Sequence, residues 1–326
     1  MNSVTGLDKN KLKGFLHNAV HDRTAMTILL SIVLVLTMGM LRPDKPRGVY
    51  QKKFWATKIT WQNCADMVIT GDSRALMALS PAELEKVFPD ARILNYGFGA
   101  NWYSQEYLEA VENMIMPDST NKRIFMGITA HSLTDRKETQ GLFLELKSYS
   151  RQTLYIDKNF AAILDFLEPM SFNDAYHGLF PDSAETRTIK HFYPDGFVGV
   201  HKIPLQRNEL KNYKRLFQKR KVSDKTIKKV TDFVSKWTNE GIIVYGFQPP
   251  SCKEMVELEK NDSGFDEENF IKIFRQAGGI WIDVDKTAYE SFDGSHLQDD
   301  GALQFSRYFA ERVKEHENRL SINKIN

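Results

Sequence analysis

Residues 66–79 read DMVITGDSRALMAL. The opening run is short and apolar, the form of a buried strand in an α/β protein. Gly71 then lets the chain turn sharply. From Ser73 onward the apolar residues recur as they do on a helix. An Asp and a Ser therefore stand on the corner between strand and helix. Unpaired backbone N–H groups point outward at such a helix start. The position suits a nucleophile, and it equally suits a plain N-cap.

Working outward, the same rhythm repeats. Residues 91–98, 122–129, 241–250 and 279–285 are apolar runs that predict four more strands. Helical patterns fall near 73–79, 102–116, 205–219, 223–239 and 265–277, with a last helix from Asp299 or Asp300. Ser80-Pro81-Ala82-Glu83 looks like a helix start with a capping box. Phe305, Phe309 and Val313 recur at i+4 as a core-facing stripe. Alternation of this kind predicts a mainly parallel five-stranded sheet covered on both faces, a three-layer α/β/α sandwich. In such sheets, sites form beyond the C-terminal ends of the strands. Residues 133–202 lack the rhythm and read as an insertion, helical in part.

The chain has 326 residues, enough for one large domain or for one domain plus an appendage. Its 44 basic and 42 acidic residues nearly cancel, so no global field recruits nucleic acid. Two cysteines, Cys64 and Cys252, are too few for a disulfide framework or a structural zinc site, though one bridge between them stays open. No H-E-x-x-H, P-loop or Cys/His cluster is present, and YGFGAN lacks the rest of a dinucleotide fingerprint. No metal or cofactor is expected. Between Arg207 and Lys229 lies a dense basic run, either a solvated helical face or a contact for lipid headgroups or an anionic polymer.

Residues 24–41, TAMTILLSIVLVLTMGML, carry no charge. That length lies at the short end of the roughly 17–25 residues that span a bilayer. A cleaved signal peptide would be followed by small residues of the A-x-A kind, which are missing here. The expected layout is an N-terminal cytoplasmic segment at 1–23, an anchor at 24–41, a Pro-containing linker at 42–60 and the main domain at 61–326. Four basic residues precede the span and six follow it closely. By the positive-inside rule this leans toward a cytoplasmic domain.

A Ser hydroxyl attacks well only when a neighbouring base takes its proton. Imidazole is the natural base near neutral pH. His296 lies between the fifth strand and the last helix, in SFDGSHLQDDGA, with Asp293 three residues earlier. A D-x-x-H turn can present both groups on one side of a loop, with the carboxylate orienting the imidazole.

Gly71-Asp72-Ser73 after the first strand, with Asp293 to His296 before the last helix, resembles the SGNH (GDSL-type) serine hydrolase superfamily over roughly residues 62–315. The resemblance implies a flavodoxin-like sheet and a Ser73–His296–Asp293 catalytic triad. It also implies an oxyanion hole built from the N–H groups of Ser73 and of Gly99 or Ala100. The family's Asn in its third block is replaced by Thr129, whose hydroxyl is the expected substitute donor, with His131 or Ser132 as further candidates. With an apolar anchor ahead, the chain looks like the SGNH proteins that work beside membrane-bound O-acyltransferases on cell-envelope polysaccharides. The resemblance thus implies an inner-membrane, single-pass esterase or O-acyltransferase with its domain outside the cytoplasm, acting on acyl esters of a carbohydrate. The alternative is a binding or scaffolding subunit of such a complex with a degenerate site.

Overall fold

The structure, a computed structural model, describes residues 23–40, 47–135, 141–168, 176 and 187–323. It divides into two compact units, 1–45 with 162–185, and 46–161 with 186–326. In the first unit, α1 (Arg23–Met40) is a helix long and apolar enough to cross a membrane. Its Leu30 and Leu34 are each 60 % exposed. The expected cytoplasmic segment and the proline-rich start of the linker lie outside the described residues, apart from Arg23.

In chain order the next elements are β1 (Arg47–Gly48), α2 (Gln51–Ile59), β2 (Met67–Gly71), α3 (Ser73–Ala78), α4 (Pro81–Glu85), β3 (Ile93–Asn95), α5 (Gln105–Glu112) and β4 (Arg123–Gly127). Then come α6 (Leu142–Lys147), α7 (Arg151–Asn159), α8 (Ala161–Leu167), β5 (Arg187–Phe192) and β6 (Val198–Ile203). The last set is α9 (Glu209–Lys219), α10 (Asp224–Asn239), β7 (Ile243–Phe247), α11 (Lys253–Asp262), α12 (Glu267–Gln276), β8 (Ile280–Trp281) and α13 (Asp299–Asn323).

The main sheet is parallel throughout, in the order β3-β2-β4-β7-β8. Its strands alternate between two cores, as the two-residue period of a strand requires. Val68, Ile124, Met126 and Val244 pack with Leu108, Phe143, Val234, Trp237 and Phe270 on one face. Met67, Ile69, Phe125 and Phe247 pack with Leu84, Phe305, Phe309 and Val313 on the other. Helices thus cover both faces. The expected stripe on α13 is buried as read, and each such side chain contributes about 1.5–3 kcal/mol. The earliest strand of this sheet, β2, lies between the second and third, so the strand order reverses between β2 and β4. A crevice opens at the C-terminal ends of strands at such a reversal.

Several expectations change. Residues 42–60 are not simply a linker, because α2 occupies 51–59. Its pattern hides the reason, which is a buried lysine. Lys58 donates to the Gly196 carbonyl at 2.8 Å and sits 5.1–5.6 Å from the ring centres of Phe54, Trp55 and Phe98. Burial drives its pKa well below the usual lysine value, against the pull of Asp195. The described part of the 133–202 insertion holds α6, α7 and α8, and the β5–β6 hairpin that pairs with β1 in a second, three-stranded sheet. Much of its aromatic heart, 169–175 and 177–186, lies outside the described residues. The helix α11 was not expected. It buries only Met255 and Glu259, so it shows little apolar period. Ser80 precedes α4 but makes no side-chain cap bond, and Glu83 pairs with Lys86 and Arg307 instead of closing a capping box. Cys64 and Cys252 are free thiols.

Candidate active site

The corner at the end of β2 is formed by close packing. Gly71 has φ of 148°, and a Cβ there would lie 2.6 Å from the Ala75 Cβ. Gly127, its register partner on β4, meets the same methyl at the same distance. Only glycine at both positions lets α3 sit against the strand ends. Tyr107 on α5 holds the strand end from the other side. Its hydroxyl donates to the Tyr96 carbonyl (2.7 Å) and accepts from the Gly71 N–H (3.0 Å) and the Thr70 hydroxyl (2.8 Å).

Ser73 is the first residue of α3, and the N-cap is Asp72, whose carboxylate accepts from the Arg74 N–H at 3.0 Å. The two roles left open by the corner are thus divided between neighbours. The Ser73 hydroxyl is half-buried and 2.8 Å from Nε2 of His296. On the far side of the ring, Nδ1 is 2.7 Å from Oδ2 of Asp293. An ionised carboxylate only accepts, so Nδ1 carries the proton and Nε2 faces Ser73 with its lone pair.

The D-x-x-H loop is locally built. Oδ1 of Asp293 accepts from the N–H groups of Ser295 (2.8 Å) and His296 (2.9 Å), a short turn that places both side chains on one side. Gly294 takes φ of 95°, a left-handed conformation. The His296 ring stacks on Phe292, with centres 5.7 Å apart and planes 19° apart. Burial pushes the Asp293 carboxyl up, but the His296 ring bond and charge and the two N–H groups hold it below its ordinary value.

The oxyanion candidates separate. The Ser73 N–H has no acceptor within its helix. The Gly99 N–H makes no hydrogen bond among the described residues, and Phe98 beside it donates to the Gly71 carbonyl at 3.3 Å. Ala100 stands at φ of 49°, a left-handed conformation that costs a non-glycine residue about 1–2 kcal/mol. Thr129 does not serve as expected. It is fully buried, and its hydroxyl donates to Oδ2 of Asp72 at 2.6 Å while accepting from the Ser132 N–H at 3.0 Å. Its one proton is engaged and none is left for an oxyanion. His131 is also drawn under the corner, with Nδ1 3.1 Å from the same Asp72 oxygen, and Ser132 bonds the Thr129 backbone.

Asp72 is the centre of a buried network. Burial raises its pKa, but the His131 bond and charge, the Arg74 charge and the Thr129 hydroxyl outweigh this and bring it to about 2. A carboxyl depressed below its unfolded value of 3.8 stabilises the fold above that value and loses this as pH falls through about 2. The contribution is about 2 kcal/mol. We expect Asp72→Asn to lower Tm at neutral pH, and the gap to wild type to close between about pH 4 and pH 2. Thermal melts by circular dichroism measure this, and a gap independent of pH would refute it.

A buried group that was missed is Arg74, which follows Ser73. Nη1 pairs with Glu259 on α11 at 2.8 Å, and Nη2 reaches the Pro249 carbonyl (2.5 Å) and Ser251 (3.2 Å). An Arg in an apolar helix start was the available signal, but its partner lies 185 residues away. Asn101 is buried as well, with Nδ2 3.4 Å from the Gly71 carbonyl. Among the described residues no cluster of three or more His, Cys, Asp or Glu side chains could hold a metal ion.

Comparison with family models, with curated proteins and with solved structures gives no match for this chain.

Proposed function

We propose that the chain is a serine esterase or O-acyltransferase of the SGNH type, anchored by α1 and acting on acyl esters of a cell-envelope carbohydrate. The observation that carries this reading is the Ser73–His296–Asp293 chain of contacts at 2.8 and 2.7 Å, from positions 223 and 3 residues apart. Its place supports the reading too. In order of appearance the main-sheet strands run 2-1-3-4-5, the flavodoxin-like order, with Ser73 at the reversal point.

In this reading the Ser73 hydroxyl attacks the acyl carbonyl carbon while His296 takes its proton at Nε2. Asp293 holds the ring and stabilises the imidazolium. The new oxyanion is held by the N–H groups of Ser73 and Gly99. His296 then gives its proton to the departing alcohol oxygen, leaving an acyl-Ser73. Water, deprotonated by His296, frees the acid and restores the serine; a sugar hydroxyl in its place completes a transfer. A membrane-bound O-acyltransferase is the proposed partner, and the proposed placement is extracytoplasmic. That side rests on the resemblance and outweighs the flanking charges, because long domains translocate despite them.

The test is labelling by a serine-directed fluorophosphonate in intact spheroplasts, with a permeant and an impermeant form. We expect both to label the protein, on the peptide containing Ser73. Labelling by the permeant probe alone would overturn the extracytoplasmic placement, and labelling by neither would overturn the nucleophile. The second result would favour a scaffolding subunit, a reading that the engaged Thr129 hydroxyl supports.

A further inference from the structure

We propose that the outward face of α9 is the binding surface for an anionic glycan, a chain bearing carboxylate or phosphate groups, whose acyl ester is presented to Ser73. The inference rests on the reading of Ser73 as nucleophile and adds the substrate's charge.

Two observations carry it. The first is position. The N-terminal half of α9 is laced to the D-x-x-H loop residue by residue. The Glu209 N–H donates to the Asp293 carbonyl at 3.3 Å. A Cβ on Gly294 would lie 3.3 Å from Cγ of Leu210. The Ser295 hydroxyl donates to the Tyr213 hydroxyl at 3.2 Å. Just ahead of the helix, the Gln206 N–H donates to the Phe292 carbonyl at 2.9 Å. The N-terminal end of α9 thus lies against the loop that holds His296.

The second is charge. Tyr213 and Phe217 are buried, and Lys211, Arg215 and Lys219 follow at i+4 spacing on the opposite face, all exposed, with Lys214 beside them. None of the four meets a carboxylate among the described residues. In the same basic run Arg207 is paired with Glu254 and Lys228 with Asp232. Like charges at i+4 destabilise an isolated helix, so the stripe works against its own fold until an anion covers it. Successive members rise about 6 Å along the axis, close to the repeat of one sugar in an extended glycan.

A bilayer is the weaker occupant. A helix that lies in a membrane interface inserts apolar side chains. The outward face of α9 offers only Lys211, Asn212, Lys214, Arg215, Gln218 and Lys219, and its aromatic residues are turned into the core.

The test is binding by the full chain in neutral detergent, read without turnover, so that it stands or fails apart from fluorophosphonate labelling of Ser73. The probes are polygalacturonate and uncharged dextran, with the chain also placed in phosphatidylcholine nanodiscs with and without phosphatidylglycerol. We expect polygalacturonate to bind and dextran not to. The triple variant Lys211→Gln/Arg215→Gln/Lys219→Gln should bind roughly tenfold more weakly, the effect of losing three exposed ion pairs. Raising salt from about 0.1 M to about 1 M shortens the screening length from about 10 Å to about 3 Å and should weaken wild type similarly. A circular dichroism melt shows whether the variant is folded. Equal binding by wild type and folded variant, or equal binding of dextran, would overturn the proposal. So would a stripe-dependent response to phosphatidylglycerol with no binding of polygalacturonate, which would give the surface to the bilayer. Should the variant not fold, Lys211→Gln and Arg215→Gln singly carry the same comparison.

Discussion

Ser73→Ala is expected to lower kcat/KM for p-nitrophenyl acetate by about 10³-fold or more and to leave the thermal melt unchanged. The hydroxyl is half-buried and its only hydrogen bond among the described residues is to His296, so an alanine there opens no large cavity. His296→Ala should be about as severe. Nucleophile and base act as one unit, so the double variant should be no worse than either single. Asp293→Asn should lose less than His296→Ala or equal it, because the carboxylate orients and stabilises the ring but does not move the proton to and from substrate. Single-turnover rates on the full chain in detergent measure all four variants. An active Ser73→Ala would remove the nucleophile from the proposal. A double variant whose loss is the product of the two single losses would mean that Ser73 and His296 act separately.

Arg74→Ala should cost about 3–5 kcal/mol, the largest stability effect expected in this chain. The guanidinium and its partner Glu259 are 1 % and 2 % exposed. Removing the cation leaves a carboxylate buried with only the Gln248 amide at 3.1 Å in its place, and strands the Pro249 carbonyl. A fall in Tm of about 10 °C would follow for a domain of this size. Glu259→Ala should do the same for the mirror-image reason. The double substitution Arg74→Met/Glu259→Leu should cost less than either single change, because apolar side chains of similar volume need no counter-charge. Melts of the three variants decide it. If the double variant is less stable than both singles, the pair contributes more than its own desolvation and the argument fails. Since Arg74 follows Ser73 directly, the same pair also ties the Ser73 corner to the β7–α11 connection, and if Ser73 acts as proposed, loosening it should reduce activity before the fold is lost.

How far the chain could be understood without its structure depends on where each signal resides. Residues 66–79 gave the β2–α3 corner almost to the residue, because a buried strand and a helix start both write themselves locally, in apolar runs and turn chemistry. The same holds for β4, β7, α10 and α13. The D-x-x-H turn was legible because three residues of chain are enough to place Asp293 against His296. The apolar helix was legible from its composition alone.

Where pattern failed, the buried surface was polar or the partner was distant. Helix α11 turns Glu259 inward, and α2 turns Lys58 inward, so hydropathy counted both as solvent-facing. The strand expected at 279–285 is only two residues long, because pairing with β7 stops at Trp281. Thr129 illustrates the limit at the site itself. Its position after β4 was right, but whether its one proton is offered to a substrate or to Asp72 depends on an aspartate 57 residues earlier in the chain. Local propensity and period determine which segments are strands, helices and corners, and the sequence carries these by itself. The 2.8 Å contact between Ser73 and His296, the burial of Arg74 on Glu259 and the engagement of Thr129 by Asp72 each need two distant segments brought to van der Waals range. Only the assembled parallel sheet, with its strand order reversed between β2 and β4, brings them there.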